Sequence, residues 1–349
     1  MKNSQFFHFL RIFTVTLLFS ACVKDPVPPS LGAYDAGVFV ICEGPFGSGT
    51  GTMSYYDRSK GGITNNIFAL ENSNATVGNV LQSFSIYDGK GYMVVNNANR
   101  IVVVDAAFKF VDTIVGLSLP RYFLGVGGNK AYVSEWGKDG VTGSVRVLDV
   151  ATRKIIKTIP TGKGAERMIK QGNRLYVCNN GGFDRDSTVA IIDTDNDVLL
   201  SKIPVGVNPS SIVLDSNNDI WVLAGGSYLQ ATGSKLSKIR SSAVISSFDV
   251  PKFASNLTLD NAKNVLYYLA ENSIYKKDIS TAATPSVFLK NSGFGYSYGL
   301  GFDALTNDLY LGDAKDFKSG GTMYVVNTAN ASIKDSVKVG IAPNGFLFK

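Results

Sequence analysis

A unit of about 40 to 46 residues recurs along this chain, and it restricts the possible folds more than any other feature. Aromatic anchors at Tyr92, Tyr132, Tyr176, Trp221, Tyr267 and Tyr310 stand 40, 44, 45, 46 and 43 residues apart. A repeat of that length is too short to be a domain. It is the length of one blade of a propeller, in which each unit buries its faces against its neighbours.

Each copy reads as a set of short strands. The anchors lie in Tyr92-Met93-Val94-Val95, Ala131-Tyr132-Val133, Leu175-Tyr176-Val177, Ile220-Trp221-Val222-Leu223, Leu266-Tyr267-Tyr268-Leu269 and Leu309-Tyr310-Leu311, with an earlier copy at Val38-Phe39-Val40-Ile41. A following strand in most copies ends on an acid or amide: Asp57, Asp105, Asp149, Asp193, Asp278 and Asn327. Such side chains accept from backbone N–H groups two residues on and so open a turn. Further strands at 110–114, 154–159, 198–203 and 331–337 partly alternate apolar and polar residues, as strands with one wet face do. No stretch shows a helical period with caps.

The ends predict closure. Residues 341–349 resemble the innermost strands that begin other units, such as 208–214, and the first unit lacks such a strand. The expected fold is therefore all-β, a seven-bladed propeller of four-stranded blades, with the C-terminal strand completing the first blade and removing the open edges. The expected blades are 37–70 with 341–349, then 76–116, 117–162, 163–206, 207–252, 253–291 and 292–340.

Three segments make up the chain on this reading: 1–21, 22–35 and the propeller at 36–349. Residues 1–21 read as a secretory signal, with Lys2 and Arg11 in front of an apolar run too short to span a bilayer. The run ends in Leu18-Phe19-Ser20-Ala21-Cys22, which resembles a lipobox and makes Cys22 the lipidation site. The proline-bearing segment after it cannot form helix or central strand and reads as a tether. Cys42 and Cys178 remain, and their positions in separate strand runs favour buried free thiols over a disulfide.

The only histidine, His8, lies in the signal segment. The propeller therefore carries no histidine triad and no histidine-ligated metal site. Gly47-Ser48-Gly49-Thr50-Gly51-Thr52 has no helix after it to hold a phosphate. Asp193-Thr194-Asp195-Asn196-Asp197 begins like a calcium loop but has Val198 where the turn glycine belongs. The net charge of +6 is dispersed, so a nucleic-acid partner is not expected. No catalytic residue, metal or cofactor is assigned.

In a propeller, the loops entering each innermost strand and those joining second to third strands share one face, where a rigid scaffold presents functional side chains. The entry loops contribute Arg121, Tyr122, Arg167, Tyr296 and Tyr298 as candidate ligand-binding residues, beside Gln82, Glu166, Asn208, Asn256 and Asn344. The second-to-third loops contribute Phe46, Trp136, Phe183, Arg185, Tyr228 and Phe317, beside Glu43, Glu135, Asp184 and several asparagines with a ready role as turn residues. Rings among amides suit a flat ligand with many polar groups, and also a protein partner. Paired carboxylates from Glu135, Glu166 and Asp184 would instead suit a glycan hydrolase or lyase.

The run Gly37-Val38-Phe39-Val40-Ile41-Cys42-Glu43-Gly44-Pro45-Phe46-Gly47, followed by Ser54-Tyr55-Tyr56-Asp57, resembles the opening of the YncE-like surface lipoproteins, propellers with YVTN-type repeats. The resemblance runs from Cys22 through the whole repeat array. It implies a lipid-anchored protein at the outer-membrane surface that captures cobalamin or a related corrinoid and passes it to a TonB-dependent transporter.

Overall fold

The computed structural model describes residues 34–229, 231–291 and 293–349. The expected signal segment at 1–21, the lipidation site Cys22 and nearly all of the 22–35 tether lie outside the described residues. Seven four-stranded antiparallel sheets follow one another, and the first takes its innermost strand from the C-terminus, so that Pro343–Phe348 pairs with Gly37–Cys42. The remaining innermost strands are Leu81–Tyr87, Pro120–Gly127, Ala165–Gln171, Pro209–Leu214, Ser255–Leu259 and Ser297–Asp303. The fold is the all-β, seven-bladed propeller that the repeat predicts.

Why the repeat folds this way is visible in the second strands. Alternate side chains point to opposite faces of a strand, so each blade offers one set to the preceding blade and one to the next. Tyr92 and Val94 pack toward the third blade, whereas Met93 and Val95 pack toward the first. The same alternation puts Tyr132 toward the fourth blade, Tyr176 toward the fifth, Trp221 toward the sixth, Tyr267 toward the seventh and Tyr310 back toward the first. The result is seven apolar seams closed in a circle. Each anchor is at most 5% exposed, so the aromatic period in the sequence is the period of these seams.

The turn acids act as expected. Asp57, Asp105, Asp193, Asp278 and Asn327 each accept from the backbone N–H two residues on, at 2.8–2.9 Å. Cys42 and Cys178 lie in different seams and are free, buried thiols. One element departs from the expected all-strand pattern: Ile67–Glu71 forms a single short helix. Its Ile67 and Phe68 bury into the first seam, so tertiary packing, not capping, holds it in place. No helix among the described residues is long and apolar enough to cross a membrane.

Candidate functional site

The seven innermost strands share a defect at one position. In every one the pairing with the second strand slips near its start, leaving an extra residue: Gln82, Ser210, Tyr298 and Asn344 as single insertions, and the segments starting at Arg121, Glu166 and Asn256 in the other three. These are β-bulges, which bend a strand and redirect a side chain. Each of those seven is the second residue of its strand. All seven line one cavity of about 190 Å³, together with Glu43, Tyr122, Arg167, Asn180, Ser211 and Ser255.

The backbone ahead of each bulge is also shared. Val80, Leu119, Gly164, Asn208 and Ala342, two residues before the ring position in five blades, have φ between 49° and 60°. A β-branched residue such as Val80 rarely adopts this left-handed conformation. It is held there because each of these five carbonyls accepts the N–H of a residue just past the second strand: Asn96, Trp136, Asn180, Gly225 and Glu43, at 2.8–3.1 Å.

Side chains around the cavity form a nearly continuous polar circuit. Tyr298 donates its hydroxyl to Glu43 Oε2 and Asn344 donates its amide to Glu43 Oε1, both at 2.8 Å. The Asn344 amide also reaches the Gln82 carbonyl at 2.9 Å, and Gln82 Nε2 approaches the Tyr122 hydroxyl at 3.4 Å. The Arg167 guanidinium stacks 4.7 Å over the Tyr122 ring and contacts Asn256 Oδ1 at 3.4 Å, while Asn256 Nδ2 donates to the Tyr298 carbonyl at 2.6 Å. Arg121 and Glu166 form a bidentate pair at 2.9 and 3.0 Å. Trp136 caps this pair, with its indole N–H 2.9 Å from Glu166 Oε2 and its ring 4.1 Å beneath Arg121.

Burial sets the electrostatics. It pushes the Glu43 carboxyl above its ordinary range, against the hydrogen bond from Tyr298 and the charge of Arg121. The Tyr298 and Tyr122 hydroxyls are raised for the same reason, Tyr298 also by the neighbouring Glu43. Burial works against the Arg121 charge, but Glu166 more than offsets it and holds the guanidinium firmly protonated. Arg167 has no carboxylate partner among the described residues. No three acidic, histidine or cysteine side chains among them converge to hold a metal ion.

The structure divides the residues expected from sequence. Arg121, Tyr122, Arg167 and Tyr298 line the cavity. Trp136 and Phe183 stack edge to face at 5.6 Å on one side of it, and Tyr296, Tyr298 and Phe317 cluster at 4.9–6.2 Å on another. Phe46 and Tyr228 stand out from the same face, 78% and 81% exposed, and Arg185 bonds Ser227 beside Tyr228. Of the carboxylates suited to a hydrolase, only Glu166 reaches the cavity. Glu135 is buried against Ser144 and Arg146, and Asp184 pairs with Lys163 at the surface. Glu43, Gln82, Ser210, Asn256 and Asn344 belong to the ring without having been singled out as binding residues. Except for Glu43, which follows the second strand of the first blade, their common signal is position, the second residue of each innermost strand.

Fold and ring together define a closed seven-bladed propeller with one polar axial cavity and an aromatic rim. The chain belongs to the family described as domain of unknown function DUF5074, which it matches over residues 36–348. No curated protein matches the sequence. Among solved structures, the periplasmic gluconolactonase PpgL of Pseudomonas aeruginosa is similar over 89% of this chain and 99% of its own, at 14% identity and a TM-score of 0.66. A quinonprotein alcohol dehydrogenase-like protein of Bacteroides thetaiotaomicron is similar over 90% of this chain and 78% of its own, at 15% identity and a TM-score of 0.67. A functionally unknown protein of Desulfotomaculum acetoxidans covers 90% of this chain and 98% of its own, at 11% identity and a TM-score of 0.68. At these identities the similarity is one of fold.

Proposed function

We propose that this protein is a non-enzymatic capture lipoprotein. It is anchored through Cys22 at the outer-membrane surface, and its rim face holds a large flat ligand of the corrinoid class for a TonB-dependent transporter. The observation that carries this reading is the rim: Phe46, Phe183, Tyr228 and Leu229 are each at least 70% exposed on loops of one face, and Tyr296 is 51% exposed. Large rings held in water around a polar mouth mark a contact surface. A cavity of about 190 Å³ falls below the roughly 300–1,000 Å³ of a pocket that encloses a drug-sized ligand. A corrin macrocycle therefore lies across the rim, its faces on the rings and its peripheral amides over the mouth.

Calorimetric titration with cyanocobalamin tests the reading. Saturable binding at micromolar ligand is expected, weakened about tenfold by Phe183→Ala or Tyr228→Ala, the usual scale for losing one aromatic anchor at an interface. No heat at micromolar corrinoid removes this ligand class.

A further inference from the structure

The cavity beneath the rim is divided by chemistry. On one side stands Arg167, a guanidinium that among the described residues has no carboxylate partner and one polar contact, a 3.4 Å approach to Asn256; Ser211 and Ser255 line the same cavity. That side offers donors and a positive charge. On the other side Gln82 and Asn344, 6% and 9% exposed, leave Oε1 and Oδ1 without any hydrogen-bond partner. Buried acceptors are rarely left unpaired, because each loses its water without replacement. The Asn344 orientation is fixed by its two amide bonds to Glu43 and Gln82, so its free oxygen cannot be removed by turning the amide over.

An occupant must therefore carry an anion at one end and donors at the other. The unpaired acceptors are neutral amide oxygens, which match hydroxyl groups. The two carboxylates lining the cavity, Glu43 and Glu166, already receive hydrogen bonds on both oxygens, so an ammonium group finds no free carboxylate there. Size narrows the class further: a dry cavity of about 150 Å³ accepts a benzene ring, and this one, at about 190 Å³, accommodates a single hydroxylated six-membered ring.

We infer that the axial cavity is a binding site for a uronic acid residue, its carboxylate on the Arg167 fork and its ring hydroxyls on the carbonyl oxygens of Gln82 and Asn344. The site is separate from the rim and does not depend on what lies across it. Because the mouth opens onto the rim face, the residue enters either as the free acid or as the end of a chain.

Calorimetry of the full chain with galacturonate, galactose and trigalacturonate tests the inference. Galacturonate is expected to bind saturably and raise the thermal midpoint, and galactose, which lacks the anion, to do neither. Tighter binding of trigalacturonate would assign the residue to a chain end, and equal or weaker binding to the free acid. Arg167→Gln should weaken galacturonate binding about tenfold or more, as loss of a bidentate charged contact does. Gln82→Met removes an unpaired oxygen, so it should weaken binding while leaving the thermal midpoint unchanged or higher. Phe183→Ala should leave galacturonate binding unchanged, which separates this test from that of the corrinoid reading. Absence of galacturonate binding, equal binding of galactose, or full affinity in a folded Arg167→Gln or Gln82→Met variant would overturn it.

Discussion

Arg121 and Glu166 occupy the same position in adjacent blades, 45 residues apart, and meet as a two-pronged ion pair at 2.9 and 3.0 Å. Their side chains are 14% and 4% exposed. At this depth the loss of one partner strands the other charge. Glu166→Gln is expected to destabilise the fold by about 3 kcal/mol, and a double replacement with Arg121→Met by clearly less than the two single changes together. Chemical denaturation of the four proteins measures both.

Glu43 holds Asn344 within the first blade and reaches Tyr298 of the last, and its acidity should be read out in the pH dependence of stability. Its carboxyl titrates above 4.5 in the folded chain because it is buried. The folded state thus keeps a proton that the unfolded chain has released, and stability falls as pH rises from 4.5 through the folded value. Glu43→Gln removes this slope. Between about pH 4 and pH 7 its denaturation midpoint should gain on that of the unaltered protein; a gap independent of pH would refute the assignment.

Gly164 is the one glycine among the five left-handed residues ahead of the bulges, at φ 59°. A Cβ there would stand 2.0 Å from the Gly182 nitrogen and 2.6 Å from the Gly181 carbonyl carbon. Gly164→Ala combines backbone strain with a contact that no side-chain rotation relieves. It should cost at least about 1–3 kcal/mol, seen as a lowered thermal midpoint.

Deleting residues 343–349 removes the innermost strand of the first blade and uncovers the edge of Gly37–Cys42. It also unpairs Glu43 from Asn344 and leaves the seam holding Tyr310, Phe346 and Phe348 incomplete. The truncated chain should lose its cooperative thermal transition and associate through the exposed edge. Size-exclusion chromatography and near-ultraviolet circular dichroism check this; a monomer with a sharp transition would contradict it.

The blades were legible in the sequence because burial on both faces of a second strand leaves a compositional trace. Tyr92, Tyr132, Tyr176, Trp221, Tyr267 and Tyr310 all fill the seam toward the following blade, so one packing demand repeats as one residue type. The closing strand was legible for the same reason, since 341–349 resembles 208–214. The Ile67–Glu71 helix was not, since five residues with a left-handed Asn66 before them and no side-chain cap carry no periodic signal. The ring was half legible. Arg121, Tyr122, Arg167 and Tyr298 stood out by chemistry, whereas Gln82, Ser210 and Asn344 look like ordinary turn residues until the register slip shows where they lie. A bulge belongs to the pairing between two strands, and neither strand alone announces it.

The bulges separate what shapes the ring from what it recognises. Each is set by backbone pairing inside its own blade, so the seven inward positions hold Gln, Arg, Glu, Ser, Asn, Tyr and Asn without any change in architecture. They are seven letters on a fixed dial, some of them read in pairs, as Arg121 and Glu166 are. Exchanging a position outside the Arg121–Glu166 pair, such as Ser210, changes what the ring offers to the cavity and leaves the seams as they are, whereas exchanging half of that pair also costs stability.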